Sequence, residues 1–124
     1  MDQAFMQSYY DTYNSENPDA LARYYASDVV FETAQGTTLG VAPILETYRY
    51  LISVFHDKMT PDSITINGDT AIVQISDRFE AKQALDDFMG QSFAPGDTLM
   101  LKLRGTYQCR DGQFSHIRID LHNS

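Results

Sequence analysis

The chain has no tryptophan, a single cysteine, and far fewer basic than acidic residues. One cysteine, Cys109, cannot close an internal disulfide, which excludes a disulfide scaffold and fits a reducing compartment. Nine Lys and Arg face 17 Asp and Glu, a formal net charge of −8. Such a field repels phosphate backbones, so nucleic acid is not expected as a partner. Long apolar runs are also lacking, and the opening Met-Asp-Gln has neither a basic region nor a signal-like core. The expectation is a cytoplasmic protein without membrane association. His56, His116 and His122 show no compact metal-ligand spacing, and there is no glycine-rich phosphate loop or nucleophile elbow. No metal and no cofactor are therefore expected.

What remains is rich in core-forming residues. The 124 residues suit one domain, and 43% are hydrophobic, among them seven Phe and eight Tyr. Tyrosine in a core must find a partner for its hydroxyl. Ala4 to Ser15 spaces Phe5, Tyr9 and Tyr13 along one helical stripe. Asn17-Pro18 is a capping residue followed by a first-turn proline, and predicts a short second helix running through Leu21, Tyr24 and Tyr25. Val29 to Thr33 is a short β-type run, followed by a turn or small arm from Gly36 to Gly40. A third helix is predicted over Val41 to Phe55, with Ile44, Tyr48, Leu51, Ile52 and Phe55 on its apolar face. His56-Asp57 follows at its end, where a protonated imidazole suits the helix dipole and could shuttle protons if that end opens into a pocket.

The second half is predicted to be mostly β. Asp62 to Ile66 and Thr70 to Ala81 flank an Asn67-Gly68-Asp69 turn, and Thr98 to Cys109 and Gln113 to His122 flank Asp111-Gly112. Between them, residues 82–97 carry Ala84, Leu85, Phe88, Met89 and Phe93 at near-helical spacing. They are expected to form a helical insertion or lid within a single domain spanning residues 1–124.

The most informative strand is Thr70 to Ala81. Counting by twos, one face holds Ala71, Val73, Ile75, Asp77, Phe79 and Ala81. A carboxylate in an apolar row must find a partner, face a cavity, or take up a proton. Asp77 is accordingly the candidate acid/base, unless the strand ends or bulges there and turns it to solvent. Arg118 and Asp120 fall opposite the apolar Ile117, Ile119 and Leu121, and are expected on the outer face.

The run Tyr9-Tyr10-Asp11-Thr12-Tyr13-Asn14, then Asn17-Pro18-Asp19-Ala20-Leu21, Tyr25-Ala26-Ser27-Asp28, Gly40 and Asp111-Gly112-Gln113-Phe114-Ser115-His116-Ile117-Arg118 resembles the NTF2-like superfamily, in its SnoaL-like and ketosteroid isomerase-like branch. The resemblance implies an α+β cone, three N-terminal helices packed against a curved antiparallel sheet. Its open end would be an apolar pocket, and a homodimer would form through the outer sheet face. It also implies a first-helix hydrogen-bond donor at Tyr9, and Asp77, at a position such enzymes line with an apolar side chain, is expected to complete the catalytic pair from a different wall. The base and second oxyanion carboxyl of steroid isomerases are replaced here by Thr33 and by Leu103-Arg104-Gly105, so an orthodox steroid isomerase is not expected. The pocket is expected to be lined by Tyr13, Phe31, Phe55, His56, Ile75, Tyr107 and Ile119 around a small hydrophobic ligand. Two functions follow: a cofactor-independent isomerase, dehydratase or cyclase moving protons on a hydrophobic carbonyl compound, or a binding or dimerisation module without chemistry. Epoxide hydrolysis ranks third, because it calls for two inward aspartates and the strand pattern supplies only one.

Overall fold

Helix α1 (Gln3–Tyr13) begins at Asp2, whose carboxyl accepts from the Phe5 N–H at 2.8 Å, and it buries Met6, Tyr9, Tyr10 and Tyr13. Asn17 caps α2 (Pro18–Ala22) by accepting from the Ala20 N–H at 3.2 Å. These details come from a computed structural model that describes residues 1–122. The helix predicted to reach Tyr25 stops at Ala22, because Tyr25 already belongs to strand β1 (Tyr25–Thr33) and pairs with Phe114. A short arm, β2 (Gly36–Leu39), folds back on β1 and leads into α3 (Val41–Val54).

Strand β3 (Phe55–Asn67) starts at the last turn of α3, well before the predicted Asp62. It pairs antiparallel with β4 (Thr70–Ala81), which pairs with β7 (Thr98–Arg110), which pairs with β8 (Gln113–Leu121). The six-stranded order is β2-β1-β8-β7-β4-β3. The sheet is not wholly antiparallel as expected, for β1 runs parallel to β8. Parallel neighbours cannot be joined by a tight turn, and here most of the chain intervenes between them.

Residues 82–97 are not helical. They form a hairpin of β5 (Leu85–Phe88) and β6 (Gln91–Phe93), turned at Met89 and Gly90, both at positive φ. Its Phe88 and Phe93 pack on Phe55 at centroid distances of 4.7 and 5.6 Å. This builds a second apolar cluster with Phe79, Val54 and Ala81, beyond the main core of α1, β1, β4, β7 and β8. No helix among the described residues is long and apolar enough to cross a membrane.

Candidate active site

The β4 alternation holds to its end: Asp77 is 2% exposed, level with Ile75 and Phe79 in the same row. A second carboxyl joins it. Asp57, 4% exposed, stands opposite Phe79 on β3 while Asp77 stands opposite Met59, so the two acids are diagonal neighbours on one face. Each carboxyl stands close enough to the other to bear on its protonation. Tyr13, from the last turn of α1, donates to Asp57 Oδ2 at 2.7 Å, and Tyr48 of α3 donates to the Tyr13 carbonyl at 2.6 Å. No Lys, Arg or His pairs with either carboxyl among the described residues.

Burial sets the protonation of this pair. Burial, and then the neighbouring Asp57 carboxyl, push Asp77 far above the ordinary carboxylate range. Burial also raises Asp57, with its neighbour Asp77 and the hydrogen bond from Tyr13 opposing part of that rise. Two like charges this close cannot both persist in a dry site, so the pair shares one proton, held mainly by Asp77. Asp57 Oδ1 and Asp77 Oδ1 are buried without a hydrogen-bond partner among the described residues. Burial, and then the charges of Asp57 and Asp77, keep the Tyr13 phenol firmly protonated.

Asp77 forms part of the wall of a cavity of about 520 Å³ between the sheet and the helices. Tyr9, Tyr13, Tyr25, Tyr48 and Tyr107 line it with Phe31, Leu51, Met59, Ile117 and Ile119, and no basic residue does. Thr33, Gln35, Thr37, Thr38, Glu46 and Thr47 supply its polar lining, from β1, the turn after it, β2 and α3. Among the described residues, no group of three or more His, Cys, Asp or Glu is placed to hold a metal ion.

Of the residues expected at the site, Asp77, Tyr9, Tyr13, Phe31, Tyr107 and Ile119 meet at this cavity. Three do not. Phe55 turns into the second cluster, Ile75 is buried in the core without reaching the wall, and His56 is 60% exposed beside Glu16. Because β3 starts at Phe55, alternation sends Phe55 and Asp57 inward and His56 outward. Tyr9 reaches the cavity, but its hydroxyl is bonded to that of Tyr25 at 2.8 Å, and Tyr13, one turn on, meets the acids instead. Asp120 is on the outer face, bonded to Arg118 Nε at 3.1 Å. The sequence reading missed Asp57, Tyr25 and Tyr48. Counting by twos from Phe55 would have exposed Asp57.

Residues 6–117 match the SnoaL-like domain family. The chain belongs to the SnoaL-like family. Solved structures agree on the fold of this SnoaL-like protein. A candidate polyketide cyclase from Xanthomonas campestris pv. campestris aligns at 20% identity over 96% of this chain and 88% of that one, with a TM-score of 0.81. An epoxide hydrolase of LEH-like type from M. tuberculosis aligns at 12% identity over 96% and 80%, with a TM-score of 0.76. A candidate hydroxylase from Streptomyces galilaeus aligns at 14% identity over 97% and 87%, with a TM-score of 0.80. No curated protein matches the chain. At these identities the neighbours establish the NTF2-like fold, and family and cavity together mark a protein of small molecules, binding or catalytic.

Proposed function

We propose that this SnoaL-like protein is a cofactor-independent enzyme that moves protons on a hydrophobic carbonyl compound, as an isomerase, dehydratase or cyclase. The observation that carries this reading is the pair Asp57–Asp77, two buried carboxyls diagonal to each other on one face of the sheet, one of them on the wall of an apolar cavity. A singly protonated pair can accept a proton and return it. Asp77 takes a proton from the carbon beside the carbonyl while the shared proton moves to Asp57, and the C–H electrons pass into the carbonyl as an enolate. The pair, now holding two protons, returns one to another carbon in isomerisation, or to a departing hydroxyl in dehydration. A positioned acid/base of this kind contributes about 10²–10⁴ in rate. Loss of water around it adds to the strength of every charge interaction inside.

One observation favours a second reading, epoxide hydrolysis. Two inward carboxyls are present where the sequence pattern supplied one, as an acid for the epoxide oxygen and a base for the attacking water require. Against it, no arginine lines the cavity to bridge the two acids. We also propose that a second copy pairs on the outer sheet face; light scattering of the purified chain tests this.

The deciding experiment is exchange of the α-hydrogens of β-tetralone in D2O, followed by NMR. Catalysed exchange by the wild type and none by Asp77→Asn is the expected result. Binding of β-tetralone without exchange in the wild type would leave a binding module.

A further inference from the structure

The cavity has a second polar pole, distinct from the carboxyl pair. Tyr9, Tyr25 and Tyr107 are all wall residues, 5%, 3% and 1% exposed, and Tyr10 stands directly behind Tyr107. Their four hydroxyls make two hydrogen bonds among themselves: Tyr10 donates to Tyr107 at 2.9 Å, and Tyr9 and Tyr25 share one at 2.8 Å. Each bond consumes one proton. The proton of Tyr107, and one from the Tyr9–Tyr25 pair, have no acceptor among the described residues. A buried donor without an acceptor costs free energy that an arriving oxygen would recover. Tyr107 is also polarised from behind, since a hydroxyl that accepts a hydrogen bond donates the next one more strongly.

The two poles stand at different places along the sheet. Tyr107 pairs with Ala71 near the start of β4, whereas Asp77 pairs with Leu101 beyond its middle. The Tyr107 ring leans back over Gly105, where a Cβ would meet its Cε2 at 2.6 Å and its hydroxyl oxygen at 2.9 Å, so that hydroxyl stands two residues nearer the Asp77 end than its own backbone. The wall contributed at the intervening positions is apolar, with Ile119 opposite Gly105. A ligand that fills this space therefore has a polar group at each end and an apolar body.

We infer that the cavity takes an elongated, uncharged ligand with an apolar body and a carbonyl or ether oxygen at the end remote from the reacting carbon, received there by Tyr107 and the Tyr9–Tyr25 pair. This rests on the reading of Asp57–Asp77 as the reacting end, and it names the class of molecule that the site accepts. Anionic ligands are excluded by the same geometry, because no basic residue lines the cavity and the carboxyl pair carries a negative charge.

The test compares two rods of one shape, 4-acetylbiphenyl and 4-ethylbiphenyl, by calorimetric titration and by the carbonyl stretch of the bound ketone. The ethyl compound is the more apolar, so burial alone favours it. In the wild type the ketone is expected to bind about tenfold more tightly, with its stretch shifted to lower frequency by hydrogen bonding. Tyr107→Phe removes both the preference and the shift, while Asp77→Asn keeps them. Equal affinities in the wild type overturn the inference without need of any variant. Loss of the preference in Asp77→Asn but not in Tyr107→Phe also overturns it, since the oxygen would then sit at the carboxyl pair. Neither result touches the α-hydrogen exchange assay, so failure here and failure of the proton-transfer reading are separately visible.

Discussion

Tyr13 donates its phenolic proton to Asp57 at 2.7 Å, and that one contact makes two adjacent acids unequal. Asp57, which accepts from Tyr13, is the better home for negative charge. Asp77 is left with the proton and with the cavity. Environment rather than residue type divides the roles, as in other paired carboxyl sites.

Exchanging Asp57 for Asn should therefore be milder than exchanging Asp77. Asp77→Asn removes the group that meets the ligand and is expected to lower turnover by about 10²–10⁴ while leaving ligand affinity nearly unchanged. Asp57→Asn leaves a carboxyl at the wall with a neutral partner. Some exchange should persist, with its pH profile displaced to lower pH, because the like charge that holds Asp77 up is gone. Steady-state rates against pH decide between these outcomes.

Stability should fall as pH rises through neutrality. Asp77 is raised in the folded state, so above the ordinary carboxyl range the folded chain holds a proton that the unfolded chain has released. The stabilisation is complete below the unfolded value and is lost as pH climbs toward the folded one, with a limiting slope of about 1.4 kcal/mol per pH unit for one proton. Asp77→Asn removes this slope. Urea titrations at pH 5 and pH 8 are expected to show the variant gaining on the wild type at the higher pH.

Tyr13→Phe should be costly despite its small change in shape. Asp57 Oδ2 loses its donor inside the core, and a hydrogen bond to a charged group is worth about 1.5–3 kcal/mol. Chemical denaturation would measure that loss. NMR titration of the Asp57 carboxyl would show it moving upward, toward its neighbour.

Gly105→Ala tests the packing of the second pole. The new methyl would stand 2.6 Å from Tyr107 Cε2 and 2.9 Å from its hydroxyl oxygen, so the ring must move among Tyr9, Tyr10 and Phe114. Overpacking of this kind costs about 1–3 kcal/mol, read from the urea midpoint. Ketone affinity should fall with it.

Much of this was readable in the chain. Caps at Asn17, the stripe of Phe5, Tyr9 and Tyr13, and the parity that sends Asp77 inward depend on neighbours a few residues away, and these local rules held. Asp57 escaped because Pro61 and the polar residues around it hide the start of β3, and a histidine next to a helix end offered a plausible local role. The hairpin at 85–93 escaped for a related reason. Leu85 and Phe88 are three apart in either conformation, and what selects the hairpin is Phe55 and Phe79, residues remote in sequence. Pairing of β1 with β8 is remoter still, and no local pattern encodes its direction.

That last pairing governs the order in which the molecule can be assembled. Strand β1 lies between β2 and β8, so one of its edges stays open until residues near the C-terminal end of the chain exist to cover it. Closing so long a loop is slow, and an uncovered edge is a place where chains stick to one another. During synthesis, the helices and β1 leave the ribosome before their last partner is made. Folding yield, more than final stability, should therefore be sensitive to changes on the edge of β1 that β8 covers, and chaperone dependence would be confined to that interval of translation.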